Sequence, residues 1–209
     1  MKTTGYLLLI LFSGIILSCN NDEDSSLPNT LYPTKGAKAG RTRMFVGNKE
    51  ITDKRVIEKF TANARYMHWD PDWDFGYVRF HSSDSASFSY DSFKYGIEKQ
   101  EKKIYFTSAS PIYFPKNEND IPIRFLKYKS SSYTPIYMGY QIIGQAAPEI
   151  RVGYGHYRRI ELGILTYKYV NRSWISEGSL YNEFDYSADL GLREQDTLAI
   201  QEYRVVYTR

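Results

Sequence analysis

The chain has 209 residues and pairs 27 lysines and arginines with 24 aspartates and glutamates, a formal net charge of +3. The basic residues are scattered and interleaved with acids, which excludes the continuous basic stripe that nucleic-acid binding requires. A single cysteine, Cys19, excludes an internal disulfide, so stability must come from packing.

The first 18 residues order themselves as an export signal. Lys2 supplies a positive start, Leu7 to Leu17 an apolar run, and Ile16, Leu17 and Ser18 a cleavage pattern directly before Cys19. An apolar run of roughly 11 residues is well short of the ~20 that span a bilayer as a helix. The pattern resembles the lipobox of bacterial lipoproteins. That resemblance implies a signal peptide over 1–18 and lipidation of Cys19, which would hold the protein on a membrane by acyl chains alone; two or more chains anchor firmly where one does not.

Residues 19–40 read as a tether. Asp22, Glu23 and Asp24 follow Cys19 closely, and Pro28, Pro33, Gly36 and Gly40 continue an irregular composition. The acidic cluster resembles the surface-export signal of Bacteroidota lipoproteins, although Asn20 and Asn21 stand between the cysteine and the first acid. The resemblance implies attachment to the outer membrane with exposure at the cell surface. The remainder, 41–209, is long enough for one domain with a sizeable core.

Within that domain one segment has helical spacing. Asp53 offers an N-cap, and Val56, Ile57, Phe60 and Ala64 then fall on one face, which predicts a helix over 53–65. A helix before a run of strands covers an open edge or end of the β structure, or forms a lid over a ligand cavity. Short strands follow, predicted over 41–46, 75–81, 87–95, 103–108, 123–129, 136–143, 150–154, 159–170 and 197–207. Glu98 to Lys103 reads as a charged hairpin tip, and Lys116 to Asp120, between Pro115 and Pro122, as an exposed loop. The last strand has apolar groups on both faces, which marks it as central or closing. Twenty tyrosines, 11 phenylalanines and 3 tryptophans favour strands throughout. The fold class expected is all-β, mainly antiparallel: a lipocalin-like barrel or a β-sandwich with one short N-terminal helix. The likeness to lipocalins is one of architecture, since no Gly-x-Trp opens the first strand.

Searches for catalytic chemistry return little. The chain has no Gly-x-Ser-x-Gly elbow, His-Glu-x-x-His helix, P-loop or dinucleotide glycine fingerprint, so neither an enzyme nor a cofactor is expected. His68, His81 and His156 are far apart in sequence and read as structural histidines. The one dense constellation is Trp69, Asp70, Pro71, Asp72, Trp73, Asp74. Its alternate aspartates match the first half of a calcium loop, but Phe75 stands where that loop needs glycine and His81 where it needs glutamate. Tryptophans beside carboxylates also suit a sugar, with a packed turn capped by aspartates as the structural alternative. Gly139, Gly144, Gly153, Gly155 and Gly163 mark bends or bulges in strands, or places where a ligand approaches closely.

Two function classes remain. One is a binding module for a small apolar or glycan ligand, with Trp69, Asp70, Asp72, Trp73 and Asp74 as candidate contacts. The other is a structural lipoprotein that meets a second envelope protein through an aromatic face. A deep apolar cavity would favour the first and a flat exposed aromatic patch the second.

Overall fold

The computed structural model of the protein describes residues 27–34, 37–68, 76–89, 93–115, 124–131, 134–172 and 174–209. Its strands are β1 (Asn29–Pro33), β2 (Lys38–Ala39), β3 (Arg43–Val46), β4 (Lys49–Ile51), β5 (Val78–Ser82), β6 (Ser85–Phe88), β7 (Lys94–Gln100), β8 (Lys103–Pro115), β9 (Thr134–Met138), β10 (Gln141–His156), β11 (Arg159–Asn171), β12 (Trp174–Leu180) and β13 (Thr197–Thr208). The order β1–β5–β6–β7–β8–β10–β11–β13 returns to β1, and every pairing is antiparallel. The sheet therefore closes into an eight-stranded barrel, the first of the two architectures expected. Closure is carried by β11 and β13, paired without interruption from Arg159↔Thr208 to Val170↔Thr197.

Period-two alternation decides which way each side chain points. On β11, Ile160, Leu162 and Ile164 enter the barrel, where they meet Phe80, Phe106, Tyr157 and Val205. Aromatic rings fill the centre edge to face: Phe80 lies 5.0 Å from Tyr157, and Phe88 lies 5.1 Å from Tyr95 and 5.3 Å from Phe106. The interior here is a packed core rather than a hollow.

A second apolar cluster sits on the outside of β11 and β13. Leu165, Tyr167, Tyr169, Leu198 and Ile200 are covered by Phe45 of β3 and by Phe125, Phe184 and Leu190 from segments that cross the wall. This is why the closing strand is apolar on both faces. Helix α1 (Lys54–Thr61) starts at Asp53, whose Oδ1 accepts from the backbone N–H of Arg55 at 2.9 Å. With Ala64 and Met67 it packs Ile57 against Met44 and Ala199, and the Tyr203 hydroxyl donates to the Met67 carbonyl at 3.2 Å. The helix thus covers one end of the barrel.

Several elements differ from the sequence expectation. The irregular composition assigned to a tether as far as residue 40 contains β1, because Asn29 and Leu31 point inward and are buried while their neighbours meet water. The segment 87–95 is two strands, β6 and β7, and 136–143 is the β9–β10 hairpin, turned at Gly139 with φ of +62°. The described part of 123–129 is a cover over the barrel wall, tied by one bridge, Leu126↔Phe184. The helix is shorter than 53–65, and Val56 faces solvent, since only Ile57, Phe60 and the following turn reach the core. Strands β4 and β12 were not predicted. The loop expected at Lys116 to Asp120 lies outside the described residues.

Candidate interaction site

Cys19 lies outside the described residues, as do Trp69, Asp70, Asp72, Trp73 and Asp74. Of the residues on either side of that loop, Met67 packs in the cluster under the helix and Val78 in the barrel core. The three histidines are held by local partners: His68 Nε2 at 2.6 Å from the Thr61 carbonyl, His81 Nε2 at 3.0 Å from Ser87 Oγ, and His156 Nδ1 accepting from the Arg158 N–H at 3.2 Å. No group of three or more His, Cys, Asp or Glu side chains able to hold a metal ion occurs among the described residues.

Glycines at 153 and 155 serve close packing of the chain on itself. A Cβ on Gly153 would sit 2.1 Å from Ile160 Cδ1, so the ligand approach envisaged there is filled by a core side chain. Gly155 has φ of +132°, and its Cβ would meet the Arg159 carbonyl at 2.3 Å, which forces the tight β10–β11 turn to use glycine.

The barrel wall splits where β10 leaves β11. Their last pair is Gly153↔Leu162, and from Leu165↔Leu180 onward β12 takes the place of β10. Tyr181 enters through this split, and its ring lies 5.6 Å from Phe88. Arg151 points inward beside it. Its guanidinium lies 4.4 Å from the ring centres of Phe88 and Tyr181 and 4.8 Å from that of Tyr95. A buried charge needs such company, and Glu149 completes it at 2.8 Å while also accepting from the Tyr95 hydroxyl. A bulge between Pro148 and Ile150 delivers Glu149 to that position.

Asn182 stitches the split from outside. Its amide donates to the Tyr128 carbonyl at 2.7 Å and the Ile150 carbonyl at 3.1 Å, and its oxygen accepts from the N–H groups of Tyr128 and Glu183. Next to it Glu183 receives Lys127 at 2.9 Å on one oxygen and Arg204 at 2.8 Å on the other. Burial alone would raise the Glu183 carboxyl, but the hydrogen bonds from Lys127 and Tyr154 and the field of Arg204 hold it below the ordinary value. Burial, together with hydrogen bonding to Tyr128 and Glu183, pushes the Tyr154 phenol up. Among these groups lies a cleft of about 90 Å³ lined by Leu126, Tyr128, Pro148, Leu180 and Tyr181. That is well under the ~300 Å³ at which small-molecule sites begin.

The most exposed apolar group lies beyond the split. β7 last pairs with β8 at Tyr95↔Ser108, so the rest of β8 pairs only with β10, and β9 pairs β10 on the other side. These three strands form an arm. From Gln141 to Pro148 it extends ~24 Å at strand rise. Near its tip Tyr137 is 58 %, Met138 68 % and Tyr140 fully exposed. Pro135 on β9 has no N–H to offer a passing strand, which guards the outer edge against indiscriminate pairing. The strand expected over 136–143 is instead this hairpin, and the signal for it in the sequence is Met138-Gly139-Tyr140, a glycine turn between two β-prone runs.

No family model, no curated protein and no solved structure matches this chain.

Proposed function

We propose that the protein is a lipid-anchored component of the bacterial cell envelope, held through Cys19 at the outer membrane, whose arm docks a second envelope protein. The observation that carries the reading is the placement of Tyr137, Met138 and Tyr140 in water near the end of a three-stranded arm. Aromatic and methionine side chains dominate the energetics of protein interfaces, and rigid ones bury much area at low entropic cost. The barrel centre is filled by rings, so a lipocalin-style cavity for an apolar ligand has no place among the described residues. The cleft at the split is too small for a whole sugar or lipid. A glycan reading therefore rests on the Trp69 to Asp74 loop alone.

The test uses intact cells. A photocrosslinker in place of Tyr140 should give one adduct of defined mass, and Tyr137→Ala with Met138→Ala in the same chain should abolish it while the melting temperature stays unchanged. Truncating hot-spot aromatics costs binding about 2 kcal/mol or more, whereas exposed substitutions change stability by only about 0.5 kcal/mol. Adducts of many masses, or none, would end the docking reading. Cys19→Ala should separately release the protein from the membrane fraction; unchanged retention would refute the anchor.

A further inference from the structure

We propose that the end of the barrel opposite the arm rests on the anionic headgroups of the membrane that carries the chain. The inference takes its setting from the anchored reading above, but the contact itself needs no lipid on the protein.

The end in question is built around Tyr157. Its hydroxyl donates to the Ser83 carbonyl at 2.8 Å in the β5–β6 turn, and its own carbonyl accepts from Asn29 Nδ2 at 2.6 Å. Lys99 Nζ stands 3.5 Å above its ring, and the Gly155 N–H donates to the Lys102 carbonyl at 2.9 Å. Three turns, the start of β1 and, by the Arg159↔Thr208 pairing, the end of β13 therefore share one surface. Lys99, Lys102, Arg158, Arg159 and Arg209 are all exposed there, against the exposed acids Asp84, Glu98 and Glu101. Among the described residues of this end exposed cations exceed exposed acids, five to three.

Chain geometry names the occupant. From Cys19 to Leu27 the chain has eight residues, which reach at most ~29 Å. Leu27 packs against the barrel core just before β1, whose first residue, Asn29, is bonded to Tyr157. β10 begins beside the arm tip and ends at His156, so its 16 residues separate the arm from this end by ~50 Å. A lipid at Cys19 brings the cationic turns to the membrane before any other part of the domain. Basic groups beside an anionic lipid surface are attracted within about one Debye length, so the end should settle on acidic headgroups.

The test uses the chain from Asn20 onward, which keeps every described residue and lacks both signal and lipid. It is mixed with vesicles of phosphatidylglycerol and phosphatidylcholine, or of phosphatidylcholine alone, and sedimented. Binding to the anionic vesicles should exceed that to neutral ones about tenfold at low ionic strength and vanish in ~0.5 M salt. Lys102→Glu, Arg158→Glu and Arg159→Glu together should reduce it about tenfold or more. Lys54→Glu, Arg55→Glu and Lys59→Glu, three exposed cations on α1 at the other end, should leave it within about twofold. Hydrogen exchange on the unmutated chain should show protection of residues 100–103 and 156–159 on anionic vesicles, with 134–141 unprotected. Equal loss in both triple variants, protection of the arm instead, or no preference for anionic vesicles would overturn the proposal. None of these readouts depends on Cys19 or on Tyr140, so failure here is separable from failure of the anchor or of the arm.

Discussion

Glu183 carries a charge on the outside of the barrel wall with its side chain only 6 % exposed. Its two oxygens are held by Lys127 and Arg204, both of which keep substantial contact with water. Because its carboxyl titrates below the ordinary value in the folded protein, its stabilisation is fully present above about pH 4.5 and is lost as pH falls through the depressed value. Glu183→Gln should therefore cost about 1 to 3 kcal/mol at neutral pH, and the gap to the parent should close at an acidic pH below the depressed value. Urea melts at both pH values check this; a gap that does not shrink on acidification would show that Glu183 acts by shape rather than charge. Nothing in the sequence pointed to Glu183, Arg151 or Asn182. Arg151 stands between Ile150 and Val152, and Asn182 and Glu183 are neighbours between Tyr181 and Phe184; their roles exist only because β10 and β12 meet at the split. Tyr181 was equally hidden, since one more tyrosine among twenty carries no signal until a gap opens for it.

At the scale of elements, β13 holds the fold together. It pairs with β11 along nearly its whole length and, on its other side, with β3, β2 and β1 in turn. Truncation before Thr197 removes the strand that closes the barrel, together with Tyr203, Val205 and Tyr207 of the inner cluster and Leu198 and Ile200 of the outer one, so no folded protein should form. A truncated chain that keeps a sharp thermal transition with strand-type circular dichroism would contradict this. Both β13 and β11 were legible in the sequence because each is long and alternates against two dry faces. β12 was not, since none of its residues is buried and an edge strand without a dry face leaves no period to read. β1 was hidden for a related reason: it has only Asn29 and Leu31 to bury, and prolines at 28 and 33 bound it. The expected end of a strand at Ser108 marks the point where β8 loses β7; beyond it Pro111 and Pro115 sit in the arm, where an unpaired edge tolerates them. The arm was unreadable because no local pattern tells a strand that its neighbour has stopped.

In the whole molecule the inner and outer clusters share β11 and β13, so neither can melt while the other stays intact. Heating should give a single transition, with near- and far-ultraviolet circular dichroism coinciding, as for a two-state domain. Two separated transitions would mean that the outer cover of Phe125, Phe184 and Leu190 unfolds by itself. The same architecture also sets how the molecule answers a pull. β10 runs from the arm to the opposite end, and the chain leaves that end through β1, so tension between a docked partner and an anchor acts along the strands. Antiparallel hydrogen bonds lie across that direction, and a ladder loaded in this way must break its bonds together in shear rather than one by one. Among the eight strands of the barrel β1 carries the fewest such pairs, three to β5 and two to β13. It is the mechanical fuse of the domain: under load β1 slips first, and the long β8–β10 and β11–β13 ladders stay whole.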